Sequence, residues 1–453
     1  MQIKRKNPPM ANGTIKFVLP EFNEFVLNNG LSVLFVEKKN LPILQLNMLV
    51  NGGSKFDPVK KKGLAHLTSL LVDEGAGEYD SLQYDEEFES IGSIFNLSTD
   101  NDNIHLTLLS LKENFERSLE LMSLAYNAPR FSPEDFKREQ NKLLAQITQN
   151  QDDPVFIATS NFDKIILGNT NYQDPIIGNA NDLASIRNND VIEFHKKYFV
   201  PSNTKLVVVG NIELTELQSL LNQYFNDKKK ENAPSIKEIV TITQKSNFYF
   251  IHKDGAAQSE IRIGHVSNKR NEEDYFAKII ANSILGGQFS SRLNLNLREN
   301  KGFTYGIQSA FMYYADAGYF EISTSVNGKD TGVAIKEINK EISGVKSEIT
   351  DSEIEFTKSY LIKRFPAMFE TYSQIAHHLS TMLKHNLSKN YFDNYIEKIS
   401  LCKKDDIENV AKTKIKLDEL IYLVVGDRTT VLSQLKDVTN LNIVELDIDG
   451  KVI

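Results

Sequence analysis

A zinc site carried on one helix needs two imidazoles a turn apart, so that both face a single ion from the same side. The eight histidines of this sequence include no His-x-x-x-His pair. His66 stands alone in the leucine-rich run Gly63–Leu71. His377, His378 and His385 cluster on an expected helix, where His378 and His385 share a face two turns apart. That is too wide for one ion without a third residue. The acidic group Asp73, Glu74, Glu78 and Asp80 reads as a solvated helix end. One cysteine, Cys402, excludes an internal disulfide framework and any multi-cysteine metal site. No Ser/His/Asp pattern is visible, and Gly286–Gly287 lacks the remaining residues of a phosphate-cradling loop.

The elements that must position such residues are legible from local pattern. Two β-prone runs within Phe25–Val36 flank an Asn-Gly step, a strong hairpin signal. A third strand is expected over Ile43–Val50. Leucines at three- and four-residue spacing make Gly63–Leu71 helical. Further helices are expected over Leu111–Tyr126 and Pro133–Gln149, the second with Ser132 as cap and Pro133 in its first turn. A helix-to-strand unit from Asp190 to Gly210 recurs from Asp406 to Gly426 with the same separation, which points to an internal duplication. Thr304–Met312 alternates, Asp316–Gly318 turns and Tyr319–Val326 returns. The polar run Asn226–Pro234 reads as a linker.

With these elements in place, Gly63-Leu64-Ala65-His66-Leu67-Thr68-Ser69-Leu70 resembles the first-helix motif of the insulinase (pitrilysin-like) zinc peptidases, GLAH-x-x-E-H. In that family the two histidines bind zinc and the glutamate activates its water. Here His66 matches the first histidine, Ser69 stands at the base and Leu70 at the second histidine. On the helix around Phe136–Ile147, Glu139 keeps the family's upstream glutamate, but Gln146 falls at the third ligand. Leucine cannot ligate zinc, and a neutral amide is a poor ligand. The second half gives the opposite result. Leu297-Arg298-Glu299-Asn300-Lys301-Gly302-Phe303-Thr304-Tyr305 is similar to the family's LR-E-x-x-G-x-x-Y signature. The resemblance makes Arg298 and Tyr305 the pair that leans over a zinc site, donating hydrogen bonds to the peptide carbonyl and the oxyanion. Gly92–Asn96 resembles the edge strand on which substrates pair, Gln258–Gly264 the opening strand of the second half, and Tyr198–Asn203 the helix-to-strand joint.

The expected fold is α+β, with two homologous halves, each an antiparallel sheet with helices packed on one face. The expected boundaries are 15–225 for a first domain with a degenerate zinc site, 226–245 for a linker and 246–453 for a second domain carrying Arg298 and Tyr305. The resemblance implies a non-catalytic subunit of a heteromeric zinc endopeptidase. It would bind unfolded peptides, hold no metal of its own, and supply Arg298 and Tyr305 to a zinc-bearing homologue in a heterodimer or higher oligomer. The alternative is a non-enzymatic peptide-binding or scaffolding protein that assembles with itself. A length of 453 residues suits two or three cores. The net charge of −8 argues against a broad nucleic-acid surface. No apolar stretch is long enough to span a bilayer. The first twenty residues lack the apolar core of a signal peptide. The cytoplasm is therefore the expected compartment, or the periplasm if a leader has been removed.

Overall fold

The hairpin forms where the Asn-Gly step places it: Asn23–Val26 (β1) pairs antiparallel with Ser32–Glu37 (β2). Gly30 takes the left-handed conformation, φ 97°, that the reversal needs. The computed structural model describes residues 17–226, 246–270 and 273–453, and the expected linker lies outside them apart from Asn226. Ile43–Val50 (β3), Ile94–Thr99 (β4), Ile104–Leu111 (β5) and Thr204–Gly210 (β6) complete a sheet of order β1-β2-β6-β3-β5-β4. The second sheet holds Asn247–His252 (β7), Gln258–Ser267 (β8), Ile307–Tyr313 (β9), Gly318–Asn327 (β10), Ile421–Gly426 (β11) and Ile443–Leu446 (β12). Its order is β12-β7-β11-β8-β10-β9.

Laid on one another, the orders coincide from β2/β7 to the edge pair β4/β9, so the duplication seen in the sequence is a duplication of topology. Both sheets are mixed rather than purely antiparallel. β2 runs parallel to β6, and β7 runs parallel to β11. In each half the helical crossovers separate those partners widely along the chain, which parallel pairing requires.

Helices also cover more than one face. The helix Pro154–Ile166, from the first half, lies on β8 and β11 of the second sheet through Ile157, Phe162 and Ile166. Reciprocally, the helix Tyr372–Lys384 lies on β3 and β6 of the first sheet. There Ile375 and Leu379 join Leu34, Val36, Val207 and Val209 in one buried cluster. Each such aliphatic side chain contributes about 1.5–3 kcal/mol when fully buried. The two halves are therefore held together by exchanged helices.

One expected helix starts late. The strand β5 runs to Leu111, because its whole length pairs with β3, and the helix begins at Phe115. The helix Pro133–Asn150 is capped as expected, the Ser132 hydroxyl accepting from the Asp135 N–H at 3.1 Å.

Candidate functional site

The motif helix, Leu64–Val72, is fixed at its start by Asp57, whose carboxylate accepts from the backbone N–H groups of Gly63 (2.8 Å) and Ala65 (2.7 Å). Burial pushes the Asp57 carboxyl up to about 7 even so. Gly63 has φ 95°, and a Cβ there would come within 2.6 Å of the Ile177 carbonyl oxygen, so only glycine fits. The helix packs against β4 and the helix Pro133–Asn150. Sequence reasoning missed Asp57, since a lone aspartate in a loop gives no periodic signal.

His66 is half-buried, and its Nδ1 is shut off from solvent without a hydrogen-bond partner. Burial lowers its pKa, which favours the neutral ring. Ser69 is 0% exposed and its Oγ has no partner either. Leu70 packs against the core of the first half. Gln146 is exposed and donates through Nε2 to Asn150 Oδ1 at 2.8 Å. Glu139 is buried, with its carboxylate 2.6 Å from Lys142 Nζ and 3.2 Å from Arg138 Nε. A zinc ion needs convergent imidazole, thiolate or carboxylate donors. One imidazole beside an enclosed hydroxyl and a hydrocarbon, with the amide turned to its neighbour, does not fit one.

The acidic run beyond this helix is solvated only in part. Glu78 and Asp80 are exposed, and Asp80 caps the helix Ser81–Ser90. Asp73 is half-buried, and burial pushes it up to about 7. Glu74 is paired with Arg138 and bonded to the Ser81 hydroxyl. Among the described residues, one group of three potential ligands comes within 4.8 Å: His252, Asp254 and Asp427. Two of these already serve the backbone. Asp427 caps the helix Arg428–Lys436, and His252 Nδ1 accepts from the Arg428 N–H at 3.1 Å.

In the second half, Arg298 sits on the wound segment Asn294–Asn300, anchored by buried Leu293 and Leu297. Its guanidinium lies 4.5 Å from the ring centroid of Phe289, which is 62% exposed, and its Nε is 3.5 Å from Glu299. Tyr305, beyond the left-handed turn at Gly302, is 91% exposed. Asn294 fixes this segment to β9, and Asn282 fixes the end of the helix Tyr275–Asn282 to the same strand. The Asn294 amide donates to the Ile307 carbonyl at 2.7 Å, and Asn282 donates to the Ser309 carbonyl at 2.9 Å. Phe289, Gln288 and Gly306 line a cavity of about 940 Å³ that follows β9. Sequence reasoning missed both asparagines and gave Phe289 no role.

A charged hub joins the halves. Asp102, 1% exposed, meets Lys55 at 3.0 Å, Lys384 at 3.2 Å, the Tyr172 hydroxyl at 2.8 Å and the Ala315 N–H at 3.0 Å. Burial alone would raise its pKa, but the two lysines and the phenol outweigh it and hold the carboxyl below its ordinary value. No described helix is long and apolar enough to cross a membrane.

Comparison with known proteins agrees with this geometry. The sequence matches the family described as insulinase (peptidase family M16) over residues 32–180, and the peptidase M16 inactive domain over residues 185–361. A Helicobacter pylori protein named non-peptidase homolog YmxG is 22% identical over 401 residues, covering 87% of this chain and 92% of its own. The mitochondrial-processing peptidase subunit beta of Saccharomyces cerevisiae is 21% identical over 447 residues, covering 94% and 96%. Other relatives carry the name zinc protease, so names alone do not decide activity. A solved peptidase M16 inactive domain from Pseudomonas fluorescens superposes with a TM-score of 0.84 at 23% identity, covering 90% of this chain and 98% of that one.

Proposed function

The chain belongs to the M16 (insulinase) peptidase family as a homologue without a zinc peptidase site, and from that premise we propose that it is the non-catalytic subunit of a heteromeric peptidase. A zinc-bearing homologue supplies the metal and the water-activating glutamate. This chain supplies Arg298 and Tyr305 to the partner's site and helps to bind an unfolded peptide. One observation carries the reading: Tyr305 is 91% exposed and Arg298 partly so, the first next in the chain to Gly306 and the second 4.5 Å from Phe289, both of which line the cavity along β9, while the motif helix of the same chain offers no donor set for zinc. Two donors presented to solvent suit a carbonyl oxygen brought by another molecule. The yeast relative, named as a subunit, supports an assembly of more than one chain.

The peptide could lie along a sheet edge as an added strand, and β4 is the edge of the first sheet, beside the motif helix. The first test measures zinc content and cleavage of an unstructured peptide, for this chain alone and then mixed with zinc-bearing homologues. The expected outcome is a metal-free, inert chain that accelerates cleavage by its partner. Stoichiometric zinc and cleavage by the isolated chain would refute the reading. A partner that cleaves no faster with this chain than without it would leave self-assembled scaffolding as the function.

A further inference from the structure

Arg270 lies between two tyrosine rings, 4.7 Å from the centroid of Tyr275 and 5.7 Å from that of Tyr391. One of its terminal nitrogens donates to the Tyr391 hydroxyl at 3.3 Å, and its buried Nε has no partner. No carboxylate pairs with it among the described residues. It borders a cavity of about 450 Å³ that Arg364, His377, His378 and Gln374 also line, and no described lining residue there is Asp or Glu. In a chain with 60 Asp and Glu against 52 Lys and Arg, a pocket whose described lining holds two arginines and no acid is conspicuous. Arg364 is turned to Tyr360, donating to its hydroxyl at 3.1 Å. His378 is wedged between Phe369 and Phe392, and burial pushes it down to about 4, so it adds a neutral ring rather than a charge. His377 is likewise lowered by burial. Glu273 and Asp274 line a second cavity that Arg270, Tyr275 and Tyr391 also border, but no ion pair joins either of them to Arg270 among the described residues.

A half-buried guanidinium with no carboxylate partner among the described residues favours an anion that arrives to complete it. This pocket opens into the larger cavity along β9, since Arg270, Tyr275, Ile279, Leu361 and Arg364 line both. Within that larger cavity Arg262 and Glu260 neutralise one another at 3.1 Å. At one end stand Phe289, which Arg298 contacts, and Gly306, which follows Tyr305; at the other, the tilted rings of Tyr275 and Tyr313 have centroids 5.9 Å apart. The separation is the length of β9, six steps of about 3.4 Å or roughly 20 Å.

We propose that Arg270, assisted by Arg364, is a carboxylate-binding site that anchors an acidic group of the bound peptide about six residues from Arg298 and Tyr305. The carboxylate is either the C-terminus or an acidic side chain. The inference rests on the reading that this chain binds unfolded peptides.

The test uses the full chain and three labelled unstructured peptides of one sequence: free C-terminus without internal acids, amidated C-terminus with one internal aspartate, and amidated without any acid. Fluorescence anisotropy gives the Kd of each. The wild-type chain is expected to bind one or both acidic peptides at least about tenfold more tightly than the neutral one, as a charge-assisted bond allows. Which peptide gains identifies the source of the carboxylate. Arg270→Gln is expected to abolish that difference while the neutral peptide keeps its affinity. The exposed Arg364→Gln is expected to reduce the difference with folding unchanged. Equal binding of all three peptides overturns the carboxylate site and leaves peptide binding intact. Binding of none overturns both readings.

Discussion

The Ser69 hydroxyl is buried without a partner, a state that costs about 1–3 kcal/mol. Ser69→Ala is therefore expected to be neutral or to stabilise by about 1 kcal/mol in denaturant unfolding. A clear loss of stability would mean that the hydroxyl is bonded after all. Tyr305 behaves oppositely: at 91% exposure, Tyr305→Phe should leave stability within about 0.5 kcal/mol and act on function alone. Asp163 gives a pH dependence. Burial pushes it up to about 7, although the Tyr319 hydroxyl donates to it at 2.8 Å. Its folded pKa lies above the unfolded value of about 3.9, so the folded state holds the extra proton in between. That contribution is complete below the unfolded value and is lost as pH rises through about 7. Asp57 and Asp73 are raised in the same way. Asp163→Asn should thus shrink, but not remove, the fall in Tm between about pH 5 and about pH 8. An unchanged fall would contradict the burial assigned to it.

Among the elements, the exchanged helices Pro154–Ile166 and Tyr372–Lys384 and the Asp102 hub bind one half to the other. Asp102→Ala takes one carboxylate from Lys55, which keeps Asp316 at 2.7 Å, and one from Lys384, which keeps Asp100 at 2.8 Å, and is expected to cost about 1–3 kcal/mol. Urea unfolding measures this, and an unchanged stability would show that Asp316 and Asp100 alone satisfy the two lysines. The hairpin at Gly30, β3, the Ser132 cap and both helix-to-strand units were readable because each is set by residues a few positions apart. The parallel pairings, the exchanged helices and Asp102 were not, since they join residues far apart in sequence, and lone polar residues in loops carry no period. The helix expected from Leu111 shows the same limit: pairing of β5 with β3 overrode a local pattern. At the candidate site, Arg298, Tyr305 and the four degenerate positions were named from motif resemblance. The tie of Asn294 to β9 and the contact of Phe289 with Arg298 became visible only in three dimensions.

For the whole molecule, the topology repeats but the chemistry does not. The first half keeps the motif helix and loses its zinc donors, while the second half keeps an arginine and a tyrosine at the surface. Such asymmetry makes sense if the missing donors come from another chain. The most direct measurement is kcat for peptide cleavage by a zinc-bearing homologue mixed with this chain, comparing wild type with the Arg298→Ala/Tyr305→Phe double variant and checking by size-exclusion chromatography that both assemble. Loss of the two donors is expected to lower kcat by about 10²-fold or more with assembly intact. Equal kcat from wild type and double variant would contradict the account.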